Sequence, residues 1–353
     1  MTPILASAPP VVRPAAHAAP AAPREPWRDE LRRAVRDPRE LARLLDLPDA
    51  WAEQAAGAAA QFPLVAPRPY VDRIQRGDPA DPLLRQVLPL DVETTPAAGF
   101  TADPVSDAAA ELTPGLLHKY HGRALLVTTG VCAVHCRFCF RRHFPYGLAP
   151  KGVDAWAPAI DRIAADATIT EVILSGGDPL TLVDKTLAAL AGRLAAIPHL
   201  RRLRVHTRLP VVLPSRVTDG LLAWLAGGRL APVVVLHANH ANEIDAAVAA
   251  ACRRLQAAGV RRLNQAVLLR GVNDTADAQA ELSERLFDAG VLPYYLHQLD
   301  RVAGAAHFEA PVETGRRIVA QLQARLPGYL VPRYVREIAG QPGKTPVGPA
   351  DGC

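Results

Sequence analysis

At 353 residues and 49% hydrophobic side chains, the chain is long enough for one large α/β domain with an appended segment. No apolar run approaches the roughly 18 residues of a membrane span, so no transmembrane segment is expected. The net charge of +5 comes from arginine, since only Lys119, Lys151, Lys185 and Lys344 are lysines; the arginines alternate with acids, which argues against nucleic-acid binding.

In chain order, residues 1–26 are mostly Ala and Pro, and Pro3, Pro9, Pro10, Pro14, Pro20 and Pro23 interrupt every turn. They read as a disordered tail. Without a basic start, an apolar stretch and a cleavage site, a secretory signal is not expected, and the cytoplasm is the expected location. Residues 27–118 read as an N-terminal helical segment. Trp27 to Leu45 carries apolar residues at helical spacing, and Asp78-Pro79 through Pro89 punctuates the chain with turns.

From residue 122 onward, short β-type runs alternate with longer amphipathic stretches. The runs are Ala124–Thr129, Glu171–Ser175, Arg202–Thr207, Pro232–His237, Arg262–Leu268 and Leu292–His297. Between them, Asp154–Asp166, Thr181–Ala196, Arg216–Ala226, Glu243–Ala258 and Ala276–Ala289 repeat apolar residues at i, i+3, i+4 and i+7. Six βα units predict a parallel sheet with right-handed crossovers over residues 119–310, followed by a C-terminal helix and loop over 311–353. Polar residues gather just past the runs at Cys132–Cys139, Ser175–Asp178, His206–Arg208, His237–His240 and His297–Asp300, with Gln265 inside its run. Chemistry from every strand end at one mouth is barrel logic, whereas a doubly wound sheet binds mainly at one switch point. The fold expected is therefore α/β, a partial (β/α)6 TIM-like barrel.

The cysteines fall at 132, 136, 139, 252 and 353. An odd count, crowded locally, points to a metal or cluster site and away from disulfides. Cys132, Cys136 and Cys139 form a C-x3-C-x2-C loop directly after the first run. Thiolates ligate iron–sulfur centres, and three protein ligands leave one iron open for an outside ligand. Zinc completed by His135 or His143, or inert buried cysteines, are the alternatives.

This spacing on a partial barrel resembles the radical S-adenosylmethionine (SAM) superfamily. The resemblance implies a 4Fe-4S cluster on Cys132, Cys136 and Cys139. Its open iron would hold SAM, and an electron donor such as flavodoxin or ferredoxin would drive SAM cleavage to a 5′-deoxyadenosyl radical. Ser175-Gly176-Gly177-Asp178-Pro179 looks like the superfamily's glycine-rich segment at the SAM amino group. Glycines there let backbone approach closely, and Asp178 is a candidate helix N-cap for Thr181 onward.

From Arg123 to Pro346 the resemblance narrows. Cys139-Phe140-Arg141-Arg142-His143-Phe144, His237-Ala238-Asn239-His240-Ala241-Asn242-Glu243, Asn264-Gln265 through Asn273-Asp274, and Gly343-Lys344-Thr345-Pro346 look like the lysine 2,3-aminomutases. Arg-His-Phe-Pro-Tyr at 142–146, Pro-Tyr-Tyr-Leu-His at 293–297 and Gly-Ala-Ala-His-Phe at 304–308 look like the short branch of that family. That branch implies L-lysine as substrate and β-lysine as product, passed to a ligase that modifies elongation factor P. It leaves room for a homo-oligomer.

Pyridoxal 5′-phosphate (PLP) is held as a Schiff base on a lysine amine, and Lys344 follows a turn, Gly340 to Gly343, able to present it to a pocket. The resemblance implies Arg123 on the PLP phosphate, which suits a forked guanidinium, and Arg141 on the substrate carboxylate. It implies Asp300 and Glu337 at the distant substrate amine, or, in the plainer reading, surface acids paired with Arg301 and Arg336. The family normally has Asp where this chain has Glu337, and a longer acid still neutralises an ammonium in altered geometry. His237, His240 and Gln265 would face the barrel mouth at the SAM site. Longer clostridial-type relatives carry a C-terminal cysteine cluster for zinc; only Cys353 follows Lys344 here, so that zinc is not expected. The rivals are a radical aminomutase on another amino acid, such as glutamate or arginine, and a non-catalytic iron–sulfur or zinc-binding module.

Overall fold

The computed structural model describes residues 25–348, so the tail expected over 1–26, apart from Glu25 and Pro26, and Cys353 lie outside the described residues. Among the described residues, ten strands form one sheet in chain order: β1 (Glu111–Thr113), β2 (Leu116–Tyr120), β3 (Arg123–Thr129), β4 (Glu171–Gly176), β5 (Arg202–Thr207), β6 (Ala231–Leu236), β7 (Arg261–Val267), β8 (Leu292–His297), β9 (Arg333–Arg336) and β10 (Thr345–Pro346). β3 to β9 run parallel, each beside the next, whereas β1, β2 and β10 join antiparallel at the edges. β1 and β10 do not pair, so the sheet curls into an open, partial barrel.

The six apolar runs are β3 to β8, each within two residues of its expected bounds. The four-residue β9, with only Tyr334 and Val335 buried, is a seventh parallel strand that the sequence did not suggest. β2, Leu-Leu-His-Lys-Tyr, passes through the expected 118/119 boundary and ties the N-terminal segment to the sheet through β3.

Strand alternation sorts the side chains. On β5, Leu203 and Val205 are buried in the core, while Arg204 and His206 alternate with them and line a cavity inside the barrel, which Thr207 at the strand end also reaches. Helices 157–164, 184–195, 219–226, 246–257, 276–288 and 312–325 cover the outside. Leu187, Leu190 and Leu194 form the buried stripe of the second, and full burial of each leucine is worth about 1.5–3 kcal/mol. Cys252 belongs to such a stripe on Ala246–Ala257 and packs as a small hydrophobe. Thr218, Asp245 and Thr275 cap their helices by accepting hydrogen bonds from Leu221, Val248 and Ala278 backbone N–H groups.

The N-terminal stretch is helical but not continuous. Trp27 to Leu45 splits into Pro26–Arg32 and Pro38–Leu44, because a residue preceding proline is pushed out of the helical region. Asp37 caps the second helix at the Arg39 N–H, and Val35 between the two helices bridges to Ala66. Trp27 is buried, with the Arg216 guanidinium 4.6 Å from its ring centroid.

Candidate active site

A cavity of about 530 Å³ occupies the barrel mouth and lumen. That is within the usual size of a cofactor pocket. Its wall contains Cys132, Cys136, Cys139, Arg123, Arg141, Ser175, Gly176, Gly177, Asp178, His237, Gln265, Asp300, Glu337 and Lys344. His240 is not among the lining residues; its Nδ1 accepts from Asn242 N–H and caps a short turn.

The cysteine loop is held from two sides. On one, the Gly176-Gly177 loop lies directly against it. Gly177 and Asp178 N–H groups donate to the carbonyls of Thr129 and Val131 at 2.7 and 2.8 Å. A Cβ on Gly177 would stand 2.5 Å from the Val131 oxygen, and Gly176 has φ +110°, so both positions require glycine. The close approach anticipated for these glycines is therefore made first to the cysteine loop's own backbone. Asp178 spends its carboxylate internally, accepting from Thr207 Oγ1 and from the N–H groups of Leu180, Arg208 and Leu209. It caps a single turn, Pro179–Thr181, and the helix expected from Thr181 starts at Asp184.

On the other side, Glu93 accepts from Arg137 Nε at 2.9 Å, from the second Arg137 nitrogen at 2.7 Å and from Arg142 at 2.9 Å. Beneath the loop, Arg208 donates to Cys136 Sγ at 2.7 Å, Gln86 Oε1 at 2.6 Å and Glu243 Oε2 at 2.8 Å. Burial alone would lower the Arg208 pKa, but Cys136 and Glu243 outweigh it and hold the guanidinium firmly charged. Burial raises the thiols of Cys132 and Cys139, the latter to about 11, and neighbouring cysteines add to both shifts. Among the described residues no three His, Cys, Asp or Glu side chains converge on one metal-ion position. A cubane cluster, whose thiolates bind different irons, asks for a wider arrangement than a single ion does.

At the other end of the cavity, Lys344 donates to Glu337 Oε2 at 2.6 Å. Glu337 also accepts from Tyr120 and has Lys119 at 3.8 Å. Burial pushes Glu337 up, but the charge and hydrogen bond of Lys344 hold it below the usual carboxylate range. Asp300 lacks such support, and burial raises it to about 6 despite Lys344 nearby. Lys119 also lines the cavity, but it is tied to Asp107 at 2.7 Å and to the Val105 carbonyl at 2.6 Å. Asp107 also accepts from Arg141 Nε at 2.7 Å, which points that guanidinium along the wall beside Ser175. The Arg123 guanidinium lies 4.5 Å from the Tyr120 ring centroid.

Between the two ends stand three histidines. His237 meets Gln265 Nε2 at 2.9 Å. Nε2 of His206 and of His297 is buried without a partner. Burial depresses all three, His237 to about 3, so the lumen is lined by neutral imidazoles.

The chain is 49% identical to the L-lysine 2,3-aminomutase of Escherichia coli over 326 residues, covering 92% of this chain and 95% of that one. It is likewise 49% identical to the enzyme of that name from Haemophilus influenzae, over 90% of this chain and 94% of that one. The chain belongs to the L-lysine 2,3-aminomutase family. The Clostridium subterminale L-lysine 2,3-aminomutase is 37% identical, and the match covers 92% of this chain and 78% of that one. A weaker likeness among solved structures is to a radical SAM methyltransferase from Sphaerobacter thermophilus, at 23% identity and a TM-score of 0.43 over 62% of this chain and 68% of that one. No family model matches.

In this L-lysine 2,3-aminomutase family member, several lining residues had no role in the sequence reading. His206, Arg208 and His297 were visible in it only as polar residues past strand ends. Asp107, which organises Arg141 and Lys119, follows Ser106 and precedes three alanines, and no spacing signals it.

Proposed function

We propose that the chain converts L-lysine to β-lysine, using a 4Fe-4S cluster on Cys132, Cys136 and Cys139, SAM on its open iron, and PLP on Lys344. The observation that carries this reading is the single cavity onto which both the three-thiol loop and the Lys344 amine open. The bound groups supply a carbon-centred radical and an electron sink for the migrating nitrogen. The chain supplies position and charge.

Arg141 takes the substrate carboxylate, its guanidinium oriented by Asp107. Asp300 and Glu337 take the distant ammonium. Both acids would repel the side-chain carboxylate of glutamate, which favours a cationic substrate. Of the two cavity lysines, Lys344 is held by one carboxylate and Lys119 by three partners, so Lys344 is the freer to be modified. Arg123 is available for the PLP phosphate. Ser175, the Gly176-Gly177 backbone, His237 and Gln265 border the space between cluster loop and lysine, where SAM would lie; Asp178 acts by holding that loop in shape.

A one-electron donor such as flavodoxin or ferredoxin would reduce the cluster, and β-lysine would pass to the ligase modifying elongation factor P, in the cytoplasm. Among the described residues no helix is long and apolar enough to cross a membrane. The test is anaerobic reconstitution with PLP, SAM and reductant, followed by isotopically labelled L-lysine. Labelled β-lysine is expected, and full cofactor occupancy with no product overturns the assignment.

A further inference from the structure

His206 and His297 carry an observation that their packing does not explain. Both line the cavity, from the ends of β5 and β8, and Nε2 of each is buried with no hydrogen-bond partner. Buried imidazole nitrogens are ordinarily satisfied, and an orphaned one inside a cavity marks a contact awaiting its ligand. The neighbouring His237 is different, because Gln265 already occupies its Nε2. Ring neighbours steady both side chains: His206 lies 5.7 Å from His237 and His297 lies 5.4 Å from Tyr295, centroid to centroid, each edge-on.

The charge of Lys344 reaches both rings. After burial, which dominates, Lys344 is among the groups that keep His206 and His297 neutral. A neutral imidazole is a poor proton donor but a good hydrogen-bond donor through its one N–H. A metal role does not fit, since no three ligating side chains converge among the described residues. Lys344 opens onto the same cavity that both rings line, and a pyridoxal cofactor attached there brings anionic oxygens that an imidazole N–H can donate to.

We propose that His206 and His297 are cofactor-binding residues, each donating its otherwise unpartnered Nε2–H to an anionic oxygen of the pyridoxal phosphate carried on Lys344. This rests on the reading of Lys344 given above and adds two residues to it.

The experiment uses the full chain with its cluster reconstituted anaerobically and titrates PLP into wild type, Lys344→Ala, His206→Ala, His297→Ala, His206→Gln and His297→Gln. The readouts are the PLP dissociation constant, the visible band of lysine-bound PLP with its pH midpoint, and the cluster absorbance. Loss of one hydrogen bond to a charged oxygen weakens PLP about tenfold or more. Each alanine variant should show that loss with a displaced pH midpoint and an unchanged cluster, and each glutamine variant, which keeps a donor, should recover most of the affinity. Should an alanine variant fail to hold its cluster, His206→Phe or His297→Phe, which fills the space without a polar atom, takes its place. Wild-type PLP affinity and pH midpoint in the alanine or phenylalanine variants overturn the proposal. A wild type with no PLP band, or Lys344→Ala retaining it, overturns the Lys344 reading itself.

Discussion

Replacing Glu93 by alanine should be among the costliest polar substitutions in the N-terminal segment. Arg137 and Arg142 have side chains 0% and 2% exposed, both stack over Phe62 at 4.9 and 4.8 Å, and Glu93 is the only carboxylate that pairs with either among the described residues. Glu93 also accepts from the Leu90 N–H at 3.1 Å, closing its own turn. Its removal strands two guanidinium charges in a buried place, and breaking a buried pair in this way costs about 3–5 kcal/mol. That is a large part of the roughly 5–15 kcal/mol that holds a typical domain together. Glu93→Gln keeps the shape and loses the charge, so about 1.5–3 kcal/mol is expected, the worth of hydrogen bonds to charged groups. Urea unfolding followed by tryptophan fluorescence measures both. Because Arg137 sits between Cys136 and Cys139, iron content after anaerobic reconstitution should fall in the same order. A loss for Glu93→Ala below about 1 kcal/mol, the value of an exposed pair, would refute the reasoning.

Lys344→Ala should abolish the visible band of bound PLP while leaving cluster absorbance unchanged. Gly177→Ala drives a Cβ to 2.5 Å from the Val131 carbonyl, so iron incorporation should fall although the nearest atoms are backbone of Gly130 and Val131; normal iron content would show that the loop can yield. Asp300→Asn should stabilise the ligand-free chain at pH 8 and not at pH 4. Burial raises the wild-type carboxyl from 3.8 to about 6, so the wild type loses stability as pH rises through that interval, about 3 kcal/mol in all. Denaturation at the two pH values decides it, and a pH-independent difference counts against the assignment. Arg208→Gln removes a charged donor from Cys136 Sγ, so a redox titration of the cluster followed by electron paramagnetic resonance should give a more negative potential; an unchanged one means that the contact is lost once iron binds.

The barrel was legible because β3, β4 and β6 are apolar runs rich in Val and Leu, and because β-type runs alternate regularly with helices that carry apolar stripes. β2 and β9 were not, since a short mixed sequence such as Leu-Leu-His-Lys-Tyr becomes a strand only through the neighbours it pairs with. The three thiols and Lys344 could be read from local motifs. What surrounds them could not: Asp107, Glu93 and Gln86 reach the site from the N-terminal segment, and their partners lie 34 to 157 residues away. Asp178 stands out in the glycine-rich motif, but its commitment to Thr207 and the following backbone depends on a strand end 29 residues away.

The open edge of the barrel has a consequence of its own. β2 on one margin and the β9–β10 connection on the other share no backbone ladder, and the side chains of Tyr120, Lys119 and Glu337 fasten them together. Glu337 is also the clasp for Lys344. A guest that competes for that carboxylate therefore tugs on the buckle of the container holding it, and loading and enclosure become one mechanical event. Amide exchange along 116–120 and 333–346 would register that event as a change in protection.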